Sequence, residues 1–321
     1  MFLGIEIGGT KLQLGVGDGS GREFVAFEHR PIAAEEGAGA ILAQIRQVAG
    51  ELRQAYPITA VGFGFGGPVL PDQGRVITSH QVAGWDGLPL VSWCREKLGL
   101  PAALGNDCDV AALAEARFGA GQGRRTVFYV TVGTGIGGGL VIDGKSHGGG
   151  RPAVAEIGHL RPGLDAESSQ STVESMAAGP AIAAEARRRA VHVAPGDQPW
   201  VDDLLGRCHG DLDELTARMV GEAANAGNEM ARHILQATCR VLGWAIAQVE
   251  TVVSPDVIVV GGGVSLIGEE CFFTPLRQHV AKYVFPPLRD TFQIVPPQLG
   301  EQVVVNGALA LARLQFSGGD R

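Results

Sequence analysis

Residues 126–142 read Thr126-Val127-Phe128-Tyr129-Val130-Thr131-Val132-Gly133-Thr134-Gly135-Ile136-Gly137-Gly138-Gly139-Leu140-Val141-Ile142. The first part is rich in β-branched and aromatic residues and predicts a strand. The glycine run from Gly133 to Gly139 predicts a long turn, and Leu140-Val141-Ile142 a second strand, closed by Asp143-Gly144, a favoured hairpin pair. The same order opens the chain. Residues 2–8 and 12–18 are apolar and flank Gly8-Gly9-Thr10-Lys11. Two such beginnings predict an internal duplication, with two related α/β halves and a ligand cleft between them.

Each beginning leads into a mixed strand–helix rhythm. Ile41, Leu42, Ile45, Val48 and Leu52 recur at helical spacing. Ala60 to Phe65 reads as a strand ending in Gly66-Gly67-Pro68, and a short strand ends at Asn106-Asp107, where an Ala-rich helical pattern starts. In the second half, residues 145–172 read as loop and 174–189 as helix interrupted by Gly179-Pro180. Residues 191–212 resist assignment, 213–253 read as two helical segments, and 303–314 as a final helix. Asp256 to Val260 is a buried-strand pattern running into a third glycine turn, Gly261-Gly262-Gly263.

Three glycine turns after strands suit a polyphosphate, because backbone N–H groups converge on an anion where no Cβ intervenes. Thr10 and Thr134 add hydroxyl donors, and Lys11 offers a cation. No Gly-x-x-x-x-Gly-Lys-Ser/Thr run occurs. Gly135-x-Gly137-x-Gly139 lies between strands rather than opening a helix, which argues against a dinucleotide fingerprint. An aspartate delivered beside such turns is placed to take a proton from a hydroxyl.

The chain has 321 residues, which favours two domains over one. Its net charge of −8 disfavours nonspecific binding to nucleic acid or anionic membrane. No apolar run suggests a membrane span, and the N-terminus lacks a basic segment and a cleavage site, so a cytoplasmic protein is expected. The five cysteines are dispersed and never form Cys-x-x-Cys, as for reduced core thiols.

These motifs, taken in order, resemble those of the ROK (repressor, open reading frame, kinase) sugar kinases of the actin–hexokinase–Hsp70 ATPase superfamily. The resemblance rests on Gly4-Ile5-Glu6-Ile7-Gly8-Gly9-Thr10-Lys11, Trp85 to Leu90, Asn106-Asp107, Val132 to Gly139, Ala155-Glu156-Ile157-Gly158-His159 and Val259 to Ser265. It implies two actin-like (ribonuclease H-like) α/β domains, residues 1–118 with about 301–321 and residues 119–300, closing over ATP, Mg²⁺ and a hexose. By position it implies Asp107 as general base and Gly67, Asn106, Asp107, Glu156, His159 and Glu174 as sugar-binding residues. Gly8, Gly9, Thr10, Lys11, Thr134, Gly135, Gly262 and Gly263 would hold the nucleotide, and Glu6 would lie near Mg²⁺. Relatives are often homodimers, so a homodimer is expected.

The departures are informative. Relatives carry a cysteine-rich zinc stretch after Glu-x-Gly-His. Here it reads Glu167-Ser168-Ser169-Gln170-Ser171-Thr172-Val173-Glu174, without a thiol. No structural zinc is expected, since a closed zinc site prefers thiolate and imidazole, and His159 is then free for the sugar. Glu6 stands where many relatives have Asp, Gly66 replaces a usual Pro, and Gln81 a usual Asn. Glucose is the first substrate implied, with fructose, mannose and N-acetylhexosamines open. A sugar-binding protein without activity is the alternative of another class. A DNA-reading repressor is disfavoured, because the first phosphate strand begins at residue 2 and the charge is acidic.

Overall fold

The computed structural model describes residues 1–79, 81–148, 151, 153–193 and 195–317. The first sheet is built from β1 (Phe2–Ile7), β2 (Lys11–Gly17), β3 (Ala26–Pro31), β4 (Ala60–Phe65) and β7 (Ala102–Asn106), in the order β3-β2-β1-β4-β7. A small hairpin, β5 (Val69–Leu70) with β6 (Arg75–Val76), follows β4. The second sheet contains β8 (Thr126–Val132), β9 (Ile136–Ile142), β10 (Lys145–Ser146), β11 (Val257–Gly261) and β12 (Gln293–Val295), in the order β10-β9-β8-β11-β12. Counted in chain order within each sheet, both run third, second, first, fourth, fifth. The duplication read from the two glycine hairpins is therefore a duplication of whole sheets.

The helices of the first half are α1 (Gly37–Ala55), α2 (Leu90–Leu98) and α3 (Asp107–Phe118). The second half has α4 (Val173–Ala177), α5 (Gly179–Val191), α6 (Gln198–Arg207), α7 (Ala217–Asn225), α8 (Glu229–Val253) and α9 (Thr274–Tyr283), and the chain closes with α10 (Val303–Phe316). Helix α1 buries Ala38, Ile41, Ile45, Val48, Ala49 and Leu52, the spacing of one helical face. Helix α10 lies against the other side of the first sheet at close range, because a Cβ on Gly62 would collide with the Ala308 carbonyl.

The glycine run after β8 is shorter as a turn than its composition predicts. Strand β9 begins at Ile136, so Gly137, Gly138 and Gly139 are strand residues. Gly139 has a packing reason to lack a side chain, since a Cβ there would strike the Cys108 carbonyl of α3. Helix α6 occupies part of the stretch that showed no pattern, and α9 and β12 are additional to the elements read from the sequence.

The chain divides into two compact units, one of Met1–Tyr129, Gly139–Ala155 and Pro297–Arg321, the other of Val130–Gly138 and Glu156–Pro296. The sequence places the change at residue 118 and at about residue 300. The structure groups residues 119–129, the segment Gly139–Ala155 and Pro297 to Gly300 with the first unit. In that unit, β1 and β4 run parallel with Ile7 beside Phe65, and β4 and β7 run parallel with Phe65 beside Asn106. Three strand ends thus finish level, and the residues that follow them, Gly8, Gly66 and Asp107, emerge together at the carboxyl edge of the sheet. Open α/β sheets present their ligands at that edge.

Candidate active site

Asn106 ends β7 in extended conformation and caps α3. Its Oδ1 accepts from the backbone N–H of Cys108 (2.9 Å) and Asp109 (3.4 Å), while its Nδ2 donates to the Gly67 carbonyl (3.0 Å). Asn106 thereby ties the start of α3 to the turn after β4. Asp107 is the first residue of α3 and is half-buried. Its Oδ1 accepts from the Cys108 N–H (2.8 Å). Its Oδ2 borders Gly66, where an added Cβ would lie 3.5 Å from it, 3.3 Å from the Ile7 carbonyl and 3.6 Å from the Gly8 Cα. A larger residue at position 66 would fill the space between the aspartate and the first glycine turn. Burial pushes the Asp107 carboxyl above its ordinary value, against the pull of the Cys108 N–H. The helix N-terminus still favours its ionised form. A carboxylate whose pKa is raised is a stronger base than an ordinary one.

The first glycine turn is closed by the Gly8 N–H donating to the Lys11 carbonyl (3.0 Å). Thr10 is exposed at its tip, and the side chain of Gln81 rests on Gly9, which has no room for a Cβ. Beneath the turn Glu6 is buried, 6% exposed. Lys11 Nζ lies 3.3 Å from its Oε1. With its amide nitrogen facing inward, Gln13, the cross-strand partner of Glu6, donates to Oε2 (2.8 Å) and to the Glu301 carbonyl (3.2 Å). Burial pushes the Glu6 carboxyl up to about 7, against the attraction of Lys11. Both oxygens therefore already have partners, and a hard cation prefers ionised oxygens that it can reach. These residues do not fit a directly held Mg²⁺. Lys11, expected on a phosphate, is turned toward Glu6 and the Glu301 carbonyl (3.4 Å).

In the second unit the turn after β8 is tied down on two sides. The Gly133 N–H donates to the Gly135 carbonyl (2.9 Å), and the Gly179 N–H at the start of α5 donates to the Gly133 carbonyl (2.8 Å). A cleft of about 820 Å³ opens beside it, within the roughly 300–1,000 Å³ of small-ligand sites. Gly133 and Thr134 form one end. Gly179, Pro180 and Ala183 of α5, Thr216, Ala217 and Gly221 at α7, and Gly263, Val264 and Ile267 after β11 form the walls. Of the expected nucleotide residues, Thr134 and Gly263 line it, whereas Gly135 and Gly262 support it. A Cβ on Gly135 would lie 2.7 Å from the Glu174 carboxylate. Gly262 has φ +85°, and a Cβ there would press on the backbone of Val132 at 2.5 Å, a position that only glycine fills without strain. The walls from α5 and α7 carry no motif, and sequence reasoning missed them; the Gly179-Pro180 helix break was the one available signal.

The family model of the ROK family matches residues 2–315. The chain belongs to the ROK family. This ROK protein is 30% identical over 318 residues to a glucokinase of Streptomyces coelicolor, covering 98% of each chain. It is 27% identical over 321 residues to a glucokinase of Thermotoga maritima, covering 99% of this chain and 98% of that one. Among solved structures, a ROK glucokinase from Streptomyces griseus in complex with glucose and AMPPNP is 30% identical, with a TM-score of 0.82 and coverage of 98% and 99%. The two-domain actin-like α/β fold expected from the motifs is the fold of this ROK protein.

The remaining expected sugar residues of this ROK protein lie in the second unit, beside the turn after β8. Glu156 precedes the short 3₁₀ turn Ile157–His159, and both Glu156 and His159 are exposed. Gly158 packs on the Ile136 carbonyl so closely that a Cβ would collide with it. Glu174, in α4, gives one carboxylate oxygen to the Ile136 N–H (2.7 Å). It thus braces the glycine turn. The cysteine-free segment between His159 and Glu174 is held by its own polar groups. Arg161 donates to the Glu167 carbonyl (3.1 Å), the Ser171 N–H to the Ser168 carbonyl (3.0 Å), and Thr172 and Ser175 form a reciprocal cap on α4. The five cysteines are buried and none is in a disulfide among the described residues. Among the described residues no helix is long and apolar enough to cross a membrane.

Proposed function

We propose that this protein transfers the terminal phosphoryl group of ATP to a hydroxyl of a hexose, glucose before other hexoses, with Asp107 as the general base. The observation that carries the reading is the Asp107 carboxylate. It is anchored through one oxygen at a helix N-terminus, raised in pKa by burial, and aimed through the other at the gap beside Gly66 and Gly8. As the sugar oxygen bonds to phosphorus, its proton passes to Asp107, and the bond between phosphorus and the bridging oxygen of ADP breaks. Such transfer needs placement and charge stabilisation more than covalent help. The turn at Gly8–Thr10 and the turn at Gly133–Thr134 would supply backbone and hydroxyl donors to the phosphates. The cleft walled by α5, α7 and Gly263 would take the adenosine. Asn106, the Gly67 backbone, Glu156, His159 and Glu174 would hold the other hydroxyls. No step is assigned to a protein-held metal. Glucose stands first because four relatives at 27–30% identity over nearly the whole chain are glucokinases, against one putative fructokinase at 27%. Fructose, mannose and N-acetylhexosamines are the competing substrates, and a cytoplasmic homodimer is the proposed working form.

The test is ATP consumption against a panel of hexoses, with Asp107→Asn as control. The reading expects turnover with glucose at the highest kcat/KM. It expects a loss of about 10²–10⁴-fold in kcat for the variant, with sugar binding by calorimetry retained. Asp107→Asn keeping more than about a tenth of wild-type kcat would remove Asp107 from the role of base.

A further inference from the structure

Lys11 follows the first glycine turn, where a phosphate contact is the obvious assignment. Its surroundings point elsewhere. The side chain is 33% exposed, and its ammonium is held between Glu6 Oε1 (3.3 Å) and the Glu301 carbonyl (3.4 Å). Glu6 is 8% exposed in its side chain and takes its second bond from Gln13. Ile7 and Gly8, which follow Glu6, form the corner against which Asp107 Oδ2 sits by way of Gly66. One cation, one buried carboxylate and the proposed base therefore share one end of β1.

Resting on the kinase reading above, we infer that Lys11 is a positioning residue that acts through Glu6. It is the built-in counter-ion that occupies the place a metal would take at this carboxylate, so the divalent cation comes and goes with the nucleotide alone. The physical reason is the asymmetry of buried charge pairs. Removing one partner leaves the other uncompensated in a site that cannot solvate it, whereas removing both leaves nothing to compensate. Without Lys11, the buried Glu6 would either stay ionised and repel Asp107 and the approaching phosphates, or take up a proton and lose the ion pair that fixes its place at the end of β1. An unpaired Lys11 would attract them out of register. The two residues should therefore behave as one unit in both folding and turnover.

The experiment is a double-variant cycle of Lys11→Met, Glu6→Gln and the pair, with Lys11→Arg as the conservative control. Turnover is measured at saturating hexose with MgATP and free Mg²⁺ varied separately, and each protein is also melted. Lys11→Met is expected to lower kcat by about tenfold with KM for MgATP moving less than about threefold, and to melt lower. Adding Glu6→Gln to it should cost no further kcat and should raise the melting temperature again. Lys11→Arg should stay near wild type. The inference fails if Lys11→Met raises KM for MgATP about tenfold or more, or if the two kcat losses multiply. It also fails if Glu6→Gln alone raises the free Mg²⁺ requirement about tenfold. A wild-type protein with no turnover on any hexose refutes the kinase reading instead, and the melting comparison still decides the pairing.

Discussion

Replacing Asn106 tests whether the strand-to-helix corner is held as the structure shows. Asn106→Ala removes the cap on the Cys108 and Asp109 N–H groups and the bond to the Gly67 carbonyl. Loss of an Asn cap costs about 1 kcal/mol, and loss of the second bond about another 1 kcal/mol. A total near 2 kcal/mol lowers the melting temperature by roughly 4–8 °C in a unit of this size. The same change frees the first turn of α3, which carries Asp107, so kcat should fall by about 10- to 100-fold even where sugar still binds. Asn106→Asp separates the two contributions. A carboxylate caps as well as an amide, but it sets an oxygen against the Gly67 carbonyl, so it should keep most of the stability of α3 and lose the tie to the β4 turn. Thermal denaturation followed by far-UV circular dichroism, with kcat and KM measured on the same preparations, reads both effects. If Asn106→Ala melted with the wild type while only KM for the sugar rose, Asn106 would be a ligand contact alone, and the clamp described here would be wrong.

Glu250 on α8 is fully buried with neither carboxylate oxygen hydrogen-bonded, and burial together with Asp256 pushes it up to about 7 from its ordinary 4.5. A carboxyl raised on folding gives up stability as pH rises: the fold carries no penalty below pH 4.5 and the full penalty, about 3 kcal/mol, above pH 7. Glu250→Gln should thus melt higher than wild type at pH 8 and with it near pH 4.5; a gap that did not change with pH would refute this account. Glu115 is buried at the end of α3 and accepts from the N–H groups of Gln298 (3.0 Å), Leu299 (2.9 Å) and Ala120 (2.7 Å). Glu115→Gln turns an amide N–H₂ against at least one of those donors and should cost about 3 kcal/mol in denaturant unfolding; a loss under about 1 kcal/mol would show that the clasp is unimportant.

What could be read early was what neighbouring residues encode. The two strand–glycine–strand openings, the period of α1 and the polar pair at the end of β7 are local signals, because strand alternation, helical spacing and capping each act within a few residues. Strand β3, Ala26–Pro31, escaped because its residues are half-exposed or exposed and show no apolar alternation. Helix α6, Gln198–Arg207, escaped because only Val201 and Leu204 are buried. The sequence by itself determined the duplicated α/β plan and the placing of an aspartate at a strand-to-helix corner. Only the tertiary structure decided which partners the polar groups took. It set Glu174 on the Ile136 N–H and Asn106 on Gly67. The physical reason is reach. A hydrogen bond between residues 38 or 39 positions apart is set by how sheets and helices pack, and no local pattern in the chain encodes that distance.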